Sequence, residues 1–267
     1  MALVSFNNLS EVDKTRAIEK LISQSTPSQD FFFMMALSVL MATFGILIDS
    51  IPVIIGSMLI APLLSPILSL SLGIIMSDGA LMARSVRTIV RSMILAVVAA
   101  AVATLLFGNG EVASDILAAL EPSFIYMAIA IIAGFAASFA LVKPKLNETL
   151  PGVAIAVALI PPLALIGVGA AKWSWEMMTG AFVIFLLNAI GIIFASMITF
   201  SLMHFYVKRR IARVVVREEE EKLRKEKEMA GEKRADVSAG KTDEPPSGLP
   251  HMRGGETSGE RGHTIRI

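Results

Sequence analysis

Four prolines stand well inside stretches otherwise apolar enough to cross a membrane: Pro62 and Pro66 in the uncharged run 52–77, and Pro161 and Pro162 in the block 150–171. A proline inside a helix has no N–H to donate, and its ring pushes away the carbonyl four residues earlier. By that rule Pro62 frees the carbonyl of Met58, Pro66 that of Pro62, and Pro161 and Pro162 those of Val157 and Ala158. In hydrocarbon a carbonyl without a partner is costly, so protein, water or a ligand must replace the lost bond. Two outcomes are open. Either Ser57, Ser65 and Ser69 close the gap locally and the prolines only kink their helices, or the freed carbonyls line a hydrated cavity and coordinate a cation or polar solute. The second outcome defines a substrate-binding set of Gly56, Ser57, Met58, Pro62, Ser65, Pro66, Ser69, Ala158, Pro161 and Pro162. Asn188, an amide well inside the last apolar block, joins it as a ligand or else hydrogen-bonds a neighbouring helix.

Other chemistry is scarce. No Asp, Glu, Lys or His lies near the centre of an apolar block, so a buried proton relay has no carriers. Arg91 is the deepest charge and, with Arg87 one turn before it, snorkels to the headgroups. The chain has no cysteine, which removes thiolate catalysis, disulfides and Cys-based metal sites. It also lacks a phosphate-binding glycine loop, a His-Glu-x-x-His pair and a nucleophile elbow with a matching base. The expectation is a protein that is not an enzyme, with no cofactor and no metal.

The elements that hold these residues follow from composition. With 54% hydrophobic residues and a mean hydropathy of +0.68, the chain reads as an integral membrane protein, all-α, a polytopic bundle. A helix needs roughly 20 apolar residues to cross about 30 Å of hydrocarbon, and six blocks qualify: 31–49, 52–77, 86–107, 123–142, 150–171 and 177–206. Arg84, Arg87 and Arg91, then Lys143 and Lys145, then Lys208, Arg209, Arg210 and Arg213 mark three connections as cytoplasmic. The alternating connections carry Asp49, the acids Glu111, Asp115 and Glu121, and the Trp173–Trp175 pair. Both termini are therefore placed inside, in the cell membrane. The polar, mixed-charge start, with the first apolar residue block at Phe31, is not read as a removable signal peptide.

The run Val53–Leu63 aligns without gaps on Val153–Leu163 at an offset of 100 residues, with Pro62 on Pro162. In each half the motif falls in the second of three spans. Three is odd, so related halves enter the membrane from opposite sides: an inverted 3+3 repeat with proline-broken second and fifth spans, an arrangement used by many secondary transporters. Small residues at every fourth position, such as Ser57, Ala61, Ser65, Ser69 and Gly73, or Ser92, Ala96, Ala100 and Thr104, or Ala130, Gly134 and Ser138, mark close helix packing.

The ends are polar. Residues 1–30 hold a short amphipathic helix, with Val12, Ala17, Ile18 and Leu21 on one face, expected to lie on the inner surface. Of the 47 Asp, Glu, Lys and Arg residues, 27 fall from Lys208 onward. Residues 208–234 read as a charged cytoplasmic helix with pairs Glu218–Lys222, Glu220–Arg224 and Glu221–Lys225, and 235–267 as a disordered tail. The partners considered are the lipid bilayer, a small solute or ion, a cytoplasmic protein on the tail and a second copy of the chain as a homo-oligomer. Nucleic acid is not among them.

The segment Ile55-Gly-Ser-Met-Leu-Ile-Ala-Pro-Leu-Leu-Ser-Pro66, the arginine-bearing region Asp78–Arg91 and Ala158-Leu-Ile-Pro-Pro162 together resemble the domain-of-unknown-function family 389 of prokaryotic membrane proteins. The resemblance covers spans one to five. It implies a polytopic prokaryotic membrane protein and supplies no activity; some members look larger, with an additional soluble N-terminal domain. The reading of the residues is a transporter or channel-like permease with its site at the two breaks. The alternative is a non-transporting scaffold or sensor whose charged tail recruits a partner.

Overall fold

The computed structural model describes residues 11–108, 124–143, 159–203 and 209–239, and the regular structure among them is helical throughout. The helices are α1 Glu11–Gln24, α2 Gln29–Leu47, α3 Ile51–Ile60, α4 Leu64–Ile75, α5 Gly79–Phe107, α6 Phe124–Val142, α7 Ile160–Ala171, α8 Trp175–Leu202 and α9 Arg209–Ala239. Side chains define several starts: Ser28 accepts from the Phe31 N–H, Asp78 from Ala80 and Leu81, and Ser174 from Met177.

Helices α2, α5, α6 and α8 are each long and apolar enough to cross a membrane, and α3 with α4 makes a fifth crossing if the pair counts as one span. Six were expected. For the block 150–171, residues 144–158 lie outside the described residues, and α7 alone, with 12 residues, is too short to cross.

The prolines do not interrupt continuous helices. α3 and α4 meet at 51°, with Ala61 extended at φ −68°, ψ 124°, as sterics require of a residue preceding proline. Pro62 lies in the break itself and Pro66 in the first turn of α4. Pro161 and Pro162 open α7. A first-turn N–H has no intrahelical acceptor, so its loss there costs nothing. Ala158 lies outside the described residues.

Three connections share one geometry. Asp49, Ser77 and Trp173 take positive φ, 52°, 50° and 55°, and the next residue's N–H donates back to a glycine carbonyl: Ser50 to Gly45, Asp78 to Gly73 and Ser174 to Gly169. This is a helix C-terminus closed by a left-handed residue. Each glycine lets the returning helix approach. A Cβ on Gly45 would lie 2.8 Å from Ile54 Cγ1, one on Gly73 3.1 Å from Met82 N, and one on Gly169 3.1 Å from Met178 N. Asp49 is the left-handed residue of the first turn, and Ser50 takes the N-cap position of α3 without a side-chain bond.

On two of the long helices, small residues face inward and large apolar ones outward. On α5 the buried positions from Ser85 onward are small or hydroxylated, Ser85, Thr88, Ser92, Ala96, Ala100, Ala103 and Thr104, while Val86, Val90, Ile94, Val98 and Val102 are exposed. The same division holds on α6, where Ala130, Gly134 and Ser138 are buried and Phe124, Ile129 and Ile132 exposed. The small-residue stripes thus bring backbones together: a Cβ on Gly134 would lie 2.8 Å from Ile192 Cα. α5 packs on α2, α4 and α7, and α8 packs on α6, α7 and α4.

The chain divides into two compact units, one running to Leu223 and the other starting at Arg224. In the first, α1 packs against α4 and α6, burying Ala17, Ile18, Leu21 and Ile22 while Val12 is exposed. Its apolar face is therefore met by protein helices, and Val12, expected on that face, is not part of it. The expected charge ladder on α9 is replaced by Lys222 with Glu219 at 3.0 Å and, in the second unit, Arg224 with Glu228 at 2.9 Å. Exposed i,i+3 and i,i+4 pairs differ little in energy, so spacing alone does not select among them. Of the tail expected to be disordered, residues 235–239 continue α9, and the rest, from residue 240, lies outside the described residues.

Candidate functional site at the broken helix

The break between α3 and α4 leaves the last four carbonyls of α3 without intrahelical donors. One is taken by another helix: the Ser38 hydroxyl on α2 donates to the Ser57 carbonyl at 2.7 Å, with both residues fully buried. The Ser57 hydroxyl turns back along its own helix to the Ile54 carbonyl at 2.6 Å. Gly56 faces α2 at the same level, its Cβ position 3.0 Å from Met41 Cε. Met58 and Pro62 are half-buried. Beyond the break the Ser65 hydroxyl donates to Gln24 Oε1 of α1 at 3.5 Å. The start of α4 therefore lies beside the end of α1.

Pro66 and Ser69 are buried in α4. Asn188 is buried in α8, which packs on α4, and Pro161 and Pro162 open α7, which α3 also touches. The structure thus gathers Gly56, Ser57, Met58, Pro62, Ser65, Pro66 and Ser69 around one break, and sets Pro161, Pro162 and Asn188 on helices packed against its two arms.

A second polar cluster, below the turn from α4 to α5, went unread in the sequence. Asp78 is buried; its Oδ1 accepts from the Ala80 and Leu81 N–H groups at 3.1 and 3.2 Å, and its Oδ2 from Arg213 Nε of α9 at 3.0 Å. Burial works against ionisation of Asp78, but the Leu81 N–H, the Arg213 guanidinium and the Ala80 N–H outweigh it and hold the carboxyl below its ordinary range. Arg84, one of the arginines that oriented the chain, is buried. It donates to the Val216 carbonyl at 3.3 Å and to Thr26 Oγ1 between α1 and α2. Ala212, Val215 and Val216 of α9 are buried beside this cluster. The only sequence signal was an acid directly before a glycine-led apolar run, which is also an ordinary helix cap.

The chain matches the family model described as Domain of unknown function (DUF389) over residues 58–194. This protein belongs to the DUF389 family. It is 33% identical over 178 residues to an uncharacterized protein of Methanocaldococcus jannaschii, a match covering 65% of this chain and 54% of that relative. The chain thus spans about half the length of the curated relative it matches. No solved structure matches it. Within this DUF389 protein the family match holds Met58 to Ser69, Asp78, Arg84, Pro161, Pro162 and Asn188. Ser38, Thr26, Arg213 and Val216, which meet those residues from α2, α1–α2 and α9, lie outside it.

Proposed function

We propose that this DUF389 protein is a membrane permease for a small solute or ion, built from two inverted three-helix units. The observation that supports it most is a recurrence at a spacing of 96 residues. Pro66, Gly73, the left-handed Ser77, the cap Asp78 and Met82 have as counterparts Pro162, Gly169, the left-handed Trp173, the cap Ser174 and Met178. Helix lengths recur too: 19 residues in α2 and α6, 12 in α4 and α7, and 29 and 28 in α5 and α8.

Packing repeats across the halves, since α5 lies on α7 as α8 lies on α4. The spacing of 96 displaces the offset of 100 seen in the apolar runs. Runs of Val, Ile and Leu align in several registers, whereas a glycine-closed turn aligns in one. Three helices per unit reverse the second unit's direction, and inverted units with interrupted helices are a transporter design that places its site at the interruptions.

On this reading the solute meets hydroxyls and carbonyls around Gly56–Ser69 in one unit and Ala158–Pro162 in the other, with Asn188 adjoining, and no cofactor or catalytic step takes part. On the same reading the protein lies in the cell membrane with its basic connections and both termini on the cytoplasmic side, as the distribution of Lys and Arg favours. Because the chain has no cysteine, single cysteines report cleanly. Ser65→Cys and Asn188→Cys, in oriented vesicles, react with a small polar thiol reagent and are protected by the transported solute. Trp173→Cys and Ser77→Cys are reached from opposite sides. Inert Ser65→Cys and Asn188→Cys, or Trp173→Cys and Ser77→Cys on the same side, would sink the proposal.

The docked root of α9 favours a second reading, a sensor whose tail recruits a cytoplasmic partner. It is distinguished by reagent-inert spans together with tail-dependent capture of one defined protein.

A further inference from the structure

Three buried hydroxyls have no hydrogen-bond partner among the described residues, those of Ser69 on α4, Ser85 on α5 and Ser196 on α8. A serine or threonine in a helix has a standard outlet, the carbonyl one turn back. Ser71, Thr88, Ser92 and Thr104 on the same two helices use it. Ser69 and Ser85 do not.

The register of the α4–α5 hairpin sets these two opposite each other. α4 and α5 are joined by the turn at Ser77 and Asp78, and above it Gly73 sits against Leu81 and Met82, its Cβ position 3.5 Å from Leu81 Cγ and 3.1 Å from Met82 N. One helical turn further up the hairpin, Ser69 precedes Gly73 by four positions and Ser85 follows Leu81 by four. Each therefore stands on the side of its helix that meets the other helix. At 0% and 1% exposure, neither hydroxyl reaches bulk solvent, and burying a hydroxyl without a partner is unfavourable.

We infer that a water molecule occupies the α4–α5 seam between Ser69 and Ser85, donating to one hydroxyl and accepting from the other. The surroundings favour a neutral ligand. Among the described residues, the carboxylate of this hairpin, Asp78 at its turn, is engaged by Ala80, Leu81 and Arg213, and the guanidinium of Arg84, next to Ser85, is turned away to Thr26 and the Val216 carbonyl. A buried water typically needs two to four polar partners, and two facing hydroxyls supply the minimum. Ser65, one turn above Ser69 on the same face and only half-buried, places the outer end of the seam at the break. The inference does not require that the protein transports anything.

The test is radiolytic hydroxyl-radical footprinting of the full chain in phosphatidylcholine–phosphatidylglycerol nanodiscs, because radicals generated from bound water mark only its immediate neighbours. Buried Leu72 and Leu81, adjacent to the pair, are expected to be modified several-fold faster than buried Leu163 and Leu141. In the Ser69→Ala/Ser85→Ala double variant their modification falls to the level of those controls. A thermal-melt cycle over the two single variants and the double variant supplies the second readout, and a shared water makes their effects non-additive. Leu72 and Leu81 as unreactive as the controls in the unaltered protein, labelling that persists in the double variant, or strictly additive melts would overturn the inference.

Discussion

Asp78 and Arg213 are 135 positions apart in sequence, and the guanidinium Nε of one lies 3.0 Å from the carboxylate of the other. The same carboxylate closes the start of α5, so a single buried acid ends one helix and anchors another. Its two roles separate by substitution. Asp78→Asn keeps a capping oxygen and loses the ion pair; with Arg213 more than half exposed, it should cost no more than about 1 kcal/mol. Asp78→Ala also loses the cap, which adds about 0.5–2 kcal/mol. Thermal melts in detergent rank the two, and tryptic cleavage at Arg213 should accelerate in both.

The same residue sets a pH dependence. A carboxyl whose pKa is lower folded than unfolded stabilises the fold above its unfolded pKa, about 3.9 for Asp, and loses that contribution as pH falls through its lowered folded value. Asp78 is held low by the Leu81 and Ala80 N–H groups and Arg213, against the opposing effect of burial. The melting temperature should show no contribution from Asp78 titration above about pH 5 and should fall below about pH 4. The difference between the native chain and Asp78→Asn should shrink over that acid range. A difference that grows with acid would contradict the assignment.

Ser38 supplies a partner that the break removes from Ser57. Ser38→Ala leaves that buried carbonyl without a donor and should cost about 1–3 kcal/mol. Ser57→Ala should cost less, because the hydroxyl it removes serves a carbonyl of its own helix. Denaturation of the two variants side by side, with equal losses, would show that the interhelical bond contributes nothing.

Glycines separate packing from propensity. A Cβ at Gly167 would lie 2.5 Å from Ala100 Cβ and 2.6 Å from the Val97 carbonyl oxygen, whereas one at Gly79 meets nothing within 4 Å. Gly167→Ala should therefore force α5 and α7 apart at a cost of about 1–3 kcal/mol or more. Gly79→Ala, in the first turn of α5, should be neutral or mildly stabilising. Melting temperatures of both variants check the contrast.

Ser77 occupies the left-handed region at φ 50°, where a side chain costs roughly 1–2 kcal/mol. Ser77→Gly removes that strain and gives back part of the gain as unfolded-chain entropy, so a net stabilisation of about 0.5–1 kcal/mol is expected. A lower melting temperature for Ser77→Gly would mean that its side chain holds the turn in some other way.

Composition and the length of the apolar runs determined that the chain is helical and suited to a membrane, and the Gly-Ser-Met core between Gly56 and Pro66 placed it near its family. Those properties are local, because apolar length and the lack of a proline N–H do not depend on what lies alongside. The break after Ile60 was likewise legible, since Pro62 forces Ala61 out of the helix whatever surrounds it. That Pro66, Pro161 and Pro162 begin helices was not, because the rule for a proline inside a helix and the rule for one at its first turn read the same letters. Nor could the sequence reveal that Ser38 serves Ser57, that Asp78 holds Arg213, or that Arg84 turns inward to Thr26 and Val216. Each joins residues far apart in the chain, and only the packing of α1, α2, α5 and α9 brings donor to acceptor. The turns after α2, α4 and α7 were decided the same way: apolar side chains are interchangeable in a lipid-facing run, while a left-handed turn over a glycine fixes where one helix must meet the next.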